Sequence, residues 1–195
     1  MTRRILILLG RHPDPAPGHF DRALADAYQR GAEAAGHSVE RIDLGDLEVP
    51  VLRSKQAFET EAPAPAIANA QAAIERAEHL VIVYPLWLGT IPGLLKLFLE
   101  QALRPGFAFE YQAKGLPKKR LSGRSARIVV TMGMPALAYR LFYGAHSLKS
   151  LKRNILGFVG IKPIAATLIG GVEAIGEAAR RRWLAKLEAL GRKGA

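Results

Sequence analysis

Two hydrophobic rhythms alternate along the chain. Residues 5–9 form an unbroken apolar run, the pattern of a central strand buried on both faces. The window after it sets Phe20, Leu24, Ala27, Tyr28 and Ala35 on one side at helical spacing, and Gly36 offers a C-cap where that spacing stops. Residues 39–44 are more polar, with Glu40, Arg41 and Asp43 between apolar neighbours, which predicts an edge strand. A connection rich in proline and charge, residues 45–65, leads to a second helix over 66–77 and a third strand over 80–84. The window holding Leu94, Leu95, Leu97, Phe98 and Leu99 is apolar nearly all round; its own sheet can cover only part of that surface, so a second subunit is expected on the rest. Strand four is expected at 128–131 and strand five at 164–169, joined by a helix carrying Leu148, Leu151, Ile155 and Val159 at helical spacing. A last helix over 173–190 turns Ile175, Trp183, Leu187 and Leu190 inward and its arginines outward.

Five strand–helix units in alternation predict an α/β fold with a doubly wound parallel sheet, in one domain spanning residues 1–195. In such sheets ligands sit beyond the carboxyl ends of the strands, near the point where the strand order reverses. The loops after strands one, three and four are therefore where function is expected.

Composition narrows the chemistry. The chain has no cysteine, which removes disulfides, thiolate zinc sites, iron–sulfur clusters and thiol nucleophiles together. Its five histidines have no metal-ligand spacing, and neither H-E-x-x-H nor G-x-S-x-G occurs, so no metal site and no serine hydrolase are expected. The apolar run behind Arg3 and Arg4 is too short for a signal peptide and no run is long enough to span a bilayer, so a cytoplasmic protein is expected. The formal charge of +11 suits an anionic partner: nucleic acid, a membrane surface or a phosphorylated cofactor. It gathers at Lys118, Lys119 and Arg120, at Lys149, Lys152 and Arg153, and at Arg180, Arg181 and Arg182, runs that equally suit a solvated face. No nucleic-acid-binding motif accompanies them.

The loop after strand one holds Arg11, His12, Gly18 and His19 and runs straight into a helix at Phe20. It matches neither G-x-G-x-x-G nor a Walker loop, yet free N–H groups at a helix start favour a phosphate, and the basic side chains would add to them. The loop after strand three, Tyr84-Pro85-Leu86-Trp87-Leu88-Gly89-Thr90-Ile91-Pro92-Gly93, places Trp87 and two leucines at an exposed strand end. A flat apolar ligand such as a flavin ring would cover them, as would core or dimer packing. After strand four, Thr131, Met132 and Gly133 would let backbone approach a ligand closely, and Tyr139 and His146 beyond them are capable proton donors.

These three loops, the 84–96 segment ending Leu94-Leu95-Lys96 and the segment Gly106-Phe107-Ala108-Phe109-Glu110-Tyr111 resemble the flavodoxin-like NAD(P)H:quinone oxidoreductases, a family that includes DT-diaphorase, modulators of drug activity and the ancillary flavoproteins of potassium efflux systems. The likeness covers residues 3–170 in order. It implies a three-layer sandwich with sheet order 2-1-3-4-5 and helices on both faces, and a homodimer holding FMN or FAD at an active site on the subunit interface. By position, His12, Gly18, His19 and Phe20 would meet the phosphate and ribose of the cofactor, Pro85, Leu86, Trp87 and Leu88 would line the isoalloxazine, and Thr131, Met132 and Gly133 would close its other edge. Tyr139 and His146 match the proton-relay pair, with Tyr143 a rival, and Phe109 and Tyr111 match aromatics lent to the neighbour's substrate cavity. Gly18, His19 and Asp21 depart from the hydroxyl and asparagine residues usual in the first loop, so the phosphate contacts would differ in detail.

The activity so implied is hydride transfer from NADPH or NADH through the flavin to a quinone or similar acceptor, with both reactants using one pocket in turn. The alternatives are a flavin-binding regulatory subunit of a potassium-efflux-type transporter with a peripheral membrane contact, an azo or nitro reductase, and a one-electron carrier, the last at odds with the basic surface.

Overall fold

The backbone follows the apolar rhythm. The computed structural model describes residues 1–10 and 18–195 and contains a five-stranded parallel sheet made of β1 (Arg4–Leu9), β2 (Ser38–Asp43), β3 (His79–Pro85), β6 (Ser125–Thr131) and β7 (Ile164–Ile169). The order is β2-β1-β3-β6-β7, which departs from the expected 2-1-3-4-5 because two further strands, β4 (Phe109–Glu110) and β5 (Lys118–Lys119), pair as a separate antiparallel ribbon between the third and fourth sheet strands. Two-residue strands carry no readable periodicity, which is why the sequence pattern misses them.

β1 lies between β2 and β3, and its apolar run is buried on both faces. Alternation along the strand sends Ile5, Ile7 and Leu9 to one core and Leu6 and Leu8 to the other. Each fully buried aliphatic side chain contributes about 1.5–3 kcal/mol relative to exposure, so this one strand anchors both layers. β2, with its polar residues, is the sheet edge it was expected to be.

On the Ile5 face lie α1 (Phe20–Ala34) and, from the far end of the chain, a long helix over Glu177–Lys193. Leu24, Ala27 and Tyr28 of α1 are buried as their spacing predicts, while Ala35 falls past the helix end and is exposed. The long helix begins four residues later than expected, at Gly176 as N-cap, so Ile175 precedes it rather than lying on its inner face. It crosses α1 through two glycines: a Cβ on Gly191 would overlap the Tyr28 carbonyl oxygen, and one on Gly31 would overlap that of Glu188. Only a residue with no side chain lets the two backbones meet there.

On the Leu6 face lie α2 (Lys55–Glu59), α3 (Pro65–Arg76) and α4 (Gly93–Ala102), with Phe98, Leu95 and Ile74 in the core. α4 buries Leu95, Phe98 and Leu99, while Leu94 and Leu97 stay half-buried. The single helix expected between β6 and β7 is broken into α5 (Ala136–Leu141), α6 (His146–Ser150), a π-helical segment (Leu151–Leu156) and α7 (Gly157–Val159); the long helix at Glu177–Lys193 is α8. The break falls at Gly144 and Ala145, whose φ values of 59° and 49° no α-helix accommodates.

Candidate functional site

Three strand ends meet at the carboxyl edge of the sheet. At the end of β3, the Leu86 N–H donates to the Thr131 carbonyl at 2.7 Å and ties that strand to the end of β6. Trp87 and Thr90 then exchange backbone hydrogen bonds, Trp87 N–H to Thr90 O at 2.9 Å and Thr90 N–H to Trp87 O at 2.8 Å. Between them Leu88 (φ 44°) and Gly89 (φ 73°) both sit in the left-handed region, the geometry of a type I′ turn. Leu88 holds this turn at a strain of about 1 kcal/mol, and its side chain is fully exposed. Trp87 is 39% exposed beside it, and Pro85 and Leu86 are half-buried at the base. The N–H groups of Leu88 and Gly89 make no hydrogen bond among the described residues.

At the end of β6, Thr131 and Met132 are buried, and Met132 is held by its N–H to Ile169 O and by Val172 N–H to its own carbonyl. Its side chain belongs to the core. Gly133 alone of the three is exposed, and a Cβ there would stand 3.1 Å from Oε1 of Glu173. Glu173, in the turn after β7, was not singled out from the sequence because nothing local marks it; only the parallel pairing of β6 with β7 brings it here. Close backbone packing recurs at Gly170, where a Cβ would overlap the Ala136 nitrogen.

At the third strand end, β1 leads through Gly10 to residues 11–17, so His12 lies outside the described residues. Gly18 is exposed with φ 101°, and His19 and Phe20 are half-buried. His19 occupies the N-cap of α1 and makes no side-chain capping bond of its own. Asp21 turns back onto its own helix: Oδ1 accepts from the Arg22 N–H at 2.9 Å and the residue is buried. Phe20 carries the Arg180 guanidinium 5.0 Å above its ring.

The two expected proton donors are placed differently from one another. Tyr139 is 1% exposed, its hydroxyl 2.7 Å from Ser147 Oγ and accepting from the Leu148 N–H at 3.2 Å. That hydroxyl is engaged inside the chain and pins the start of α6. His146 is exposed at the first position of α6, and Tyr143 is 52% exposed just before it. Ser147 and the Trp87 turn border a cavity of about 370 Å³, together with Lys96 of α4. Tyr84, beneath the turn, is fully buried, and burial, with Tyr139 nearby, pushes its phenol well above the ordinary tyrosine value.

Phe109 and Tyr111 lie on a second hollow of about 230 Å³ that shares Lys96 and Ile155 with the first. Phe109 is 4% exposed and stacks edge-on with Tyr111 (centroids 5.2 Å apart) and Phe158 (4.9 Å). It is thus a wall of the hollow, while Tyr111 at its edge is 61% exposed. Leu137, Leu141 and Phe142 are exposed on and just after α5. Among the described residues no group of three or more His, Cys, Asp or Glu could hold a metal ion, and no helix is long and apolar enough to cross a membrane.

Comparison with known proteins fits this frame. The sequence pattern of a family described as having a flavodoxin-like fold matches residues 3–190. An FMN-dependent NADH:quinone oxidoreductase of Acidobacterium capsulatum is 30% identical over 102 residues, covering 52% of this chain and 49% of that protein. One from Hahella chejuensis is 34% identical over 109 residues, covering 54% and 50%. The chain spans about half the length of these curated relatives. An NAD(P)H:quinone oxidoreductase structure from Methanothermobacter marburgensis superposes with a TM-score of 0.78 at 21% identity, covering 99% of this chain and 97% of that one, a likeness of fold.

Proposed function

The chain belongs to the flavodoxin-like fold family, and from that premise we propose that it is an FMN-dependent NAD(P)H:quinone oxidoreductase, acting as a homodimer in the cytoplasm. The observation that carries this reading is the Trp87–Thr90 turn: an indole and a fully exposed leucine, held at a strained φ at the carboxyl end of β3, the same edge of the sheet at which β1 leads to α1. Strain of this kind persists where the surrounding structure has a use for it. The names of the Acidobacterium and Hahella relatives support FMN, NADH and a quinone as the reactants.

The residues present fit an FMN. Trp87 and Leu88 offer an apolar wall that would cover one side of the ring and exclude water. The N–H groups of Leu88 and Gly89, with no partner among the described residues, would donate to ring oxygens. Gly133 would let backbone approach the opposite edge, and Gly18, His19 and Phe20 at the head of α1 would hold the phosphate through N–H groups and the helix dipole. When bound, FMN supplies a carrier that accepts hydride from the nicotinamide and returns it to the acceptor.

The chain itself then contributes orientation and proton supply. His146, exposed at the head of α6, would donate a proton from an imidazole nitrogen to the reduced acceptor. Tyr139 acts one step back, as a positioning residue, by holding Ser147 and Leu148 and so the whole α6 terminus. Leu88, Leu137, Leu141 and Phe142, each exposed, with half-buried Leu94 and Leu97 of α4, would offer apolar side chains to a second copy.

The test is the absorption spectrum of the purified chain, followed by NADH oxidation with a benzoquinone acceptor. Flavin absorption, FMN on mass analysis and quinone-dependent turnover are the expected results. A colourless chain that takes up no FMN at micromolar concentration overturns the proposal.

A further inference from the structure

A cleft of about 960 Å³ opens at the other end of the sheet, where Lys162, Pro163 and Ile164 lead into β7. A six-residue strand is roughly 17 Å long, so the cleft stands well apart from the strand ends that form the candidate flavin site. Its rim carries four cations, Lys119 from the β4–β5 ribbon, Lys152 and Arg153 from the π-helical segment, and Lys162. None of the four makes an ion pair or a side-chain hydrogen bond among the described residues, and no Asp or Glu lines the cleft. The nearby carboxylate of Glu110 is already engaged by Lys118 and Arg120.

The floor is of the opposite character. Leu116, Pro117, Phe158 and Ile164 line it, with Leu116 88% and Phe158 38% exposed. Gly157 also lines it, and a Cβ there would stand 2.8 Å from the Lys152 carbonyl oxygen and 3.9 Å from the Lys162 Cε, so the backbone packs closely under these two cations. A π-helical turn is rare and occurs frequently at functional sites. Four like charges round an apolar hollow repel one another, and an anion that also covers the hollow relieves both costs. The volume is at the upper end of what small-molecule sites occupy.

We infer that this cleft is a second binding site, for an organic anion with an apolar body: a phosphate or carboxylate head held by Lys119, Lys152, Arg153 and Lys162, and a chain or ring laid on Leu116, Pro117, Phe158 and Ile164. Phe158 also walls the Phe109–Tyr111 hollow, but none of the four cations lines that hollow or the Trp87 turn, and the inference stands whether or not a flavin binds.

Calorimetric titration of the purified chain with octyl phosphate tests it. The expected result is saturable binding at one site per chain, weakened by about tenfold or more in the Arg153→Glu, Lys162→Glu double variant. Both residues are exposed, so folding should be unchanged. If the double variant does not fold, Lys119→Glu on the exposed ribbon serves in its place. Inorganic phosphate and uncharged octyl glucoside should each bind far more weakly than octyl phosphate. No saturable binding, equal affinity in the variant, or equal binding of either control overturns the inference.

Discussion

Leu88 carries a conflict between backbone and side chain that a substitution can separate. Asparagine followed by glycine is the preferred pair for a type I′ turn, so Leu88→Asn should raise the unfolding free energy in urea by about 1 kcal/mol. The same change removes an apolar contact, so FMN affinity should fall about tenfold; unchanged affinity would take Leu88 out of the flavin wall. Tyr139 and His146 separate in a similar way. Tyr139→Phe leaves the buried Leu148 N–H without its acceptor, so it should lower stability by about 1–3 kcal/mol while flavin-dependent turnover largely survives in the folded fraction. His146→Ala should leave stability alone and slow quinone reduction at least about tenfold at saturating NADH. Stopped-flow and denaturation measurements on both variants distinguish these roles, and a reversed pattern would return the proton to Tyr139.

At the scale of elements, the α1–α8 crossing makes the sharpest demand. Gly191→Ala would drive a methyl group into the Tyr28 carbonyl, so a loss of about 3 kcal/mol or more is expected in thermal or urea unfolding; a change under about 1 kcal/mol would mean the helices slide apart freely. This demand has no local mark in the sequence, because it is set by α8 meeting α1 from the far end of the chain. The strands were legible because burial on both faces leaves an unbroken apolar run, as at residues 5–9, and the edge strand because Glu40 and Arg41 interrupt one. Breaks that depend on left-handed residues were not: alanine is a helix former by type, yet Ala145 with φ 49° stands in the break and precedes α6 as its N-cap. The site was legible in part for the same reason. Trp87 and Leu88 stand out as apolar residues at a strand end, while the engagement of Tyr139 by Ser147 and the approach of Glu173 to Gly133 are long-range or conformational facts with no local signature.

For the molecule as a whole, acid stability should be governed partly by His79. It is buried at the head of β3 with Nδ1 2.7 Å from Ser125 Oγ, and Nε2 has no hydrogen-bond partner among the described residues. Burial, with Arg3, Arg127 and His37 nearby, pulls its pKa from 6.5 down to about 4. The unfolded chain therefore takes up a proton that the folded chain refuses, and stability is lost as pH falls from about 6.5 to about 4, by about 3 kcal/mol in all. A His79→Gln variant should lose that slope in urea titrations across the interval; an unchanged slope would assign it to other groups. The meeting of α1 with α8 bears finally on how the chain comes to be folded at all. The face of the sheet that holds Ile5, Ile7 and Leu9 is made early in synthesis, yet its cover includes Leu187, made near residue 190. Until then α1 alone shields that face, so a nascent chain trails a half-covered greasy surface behind the ribosome, a natural substrate for holding chaperones, and truncation before residue 177 should yield inclusion bodies rather than a smaller working protein.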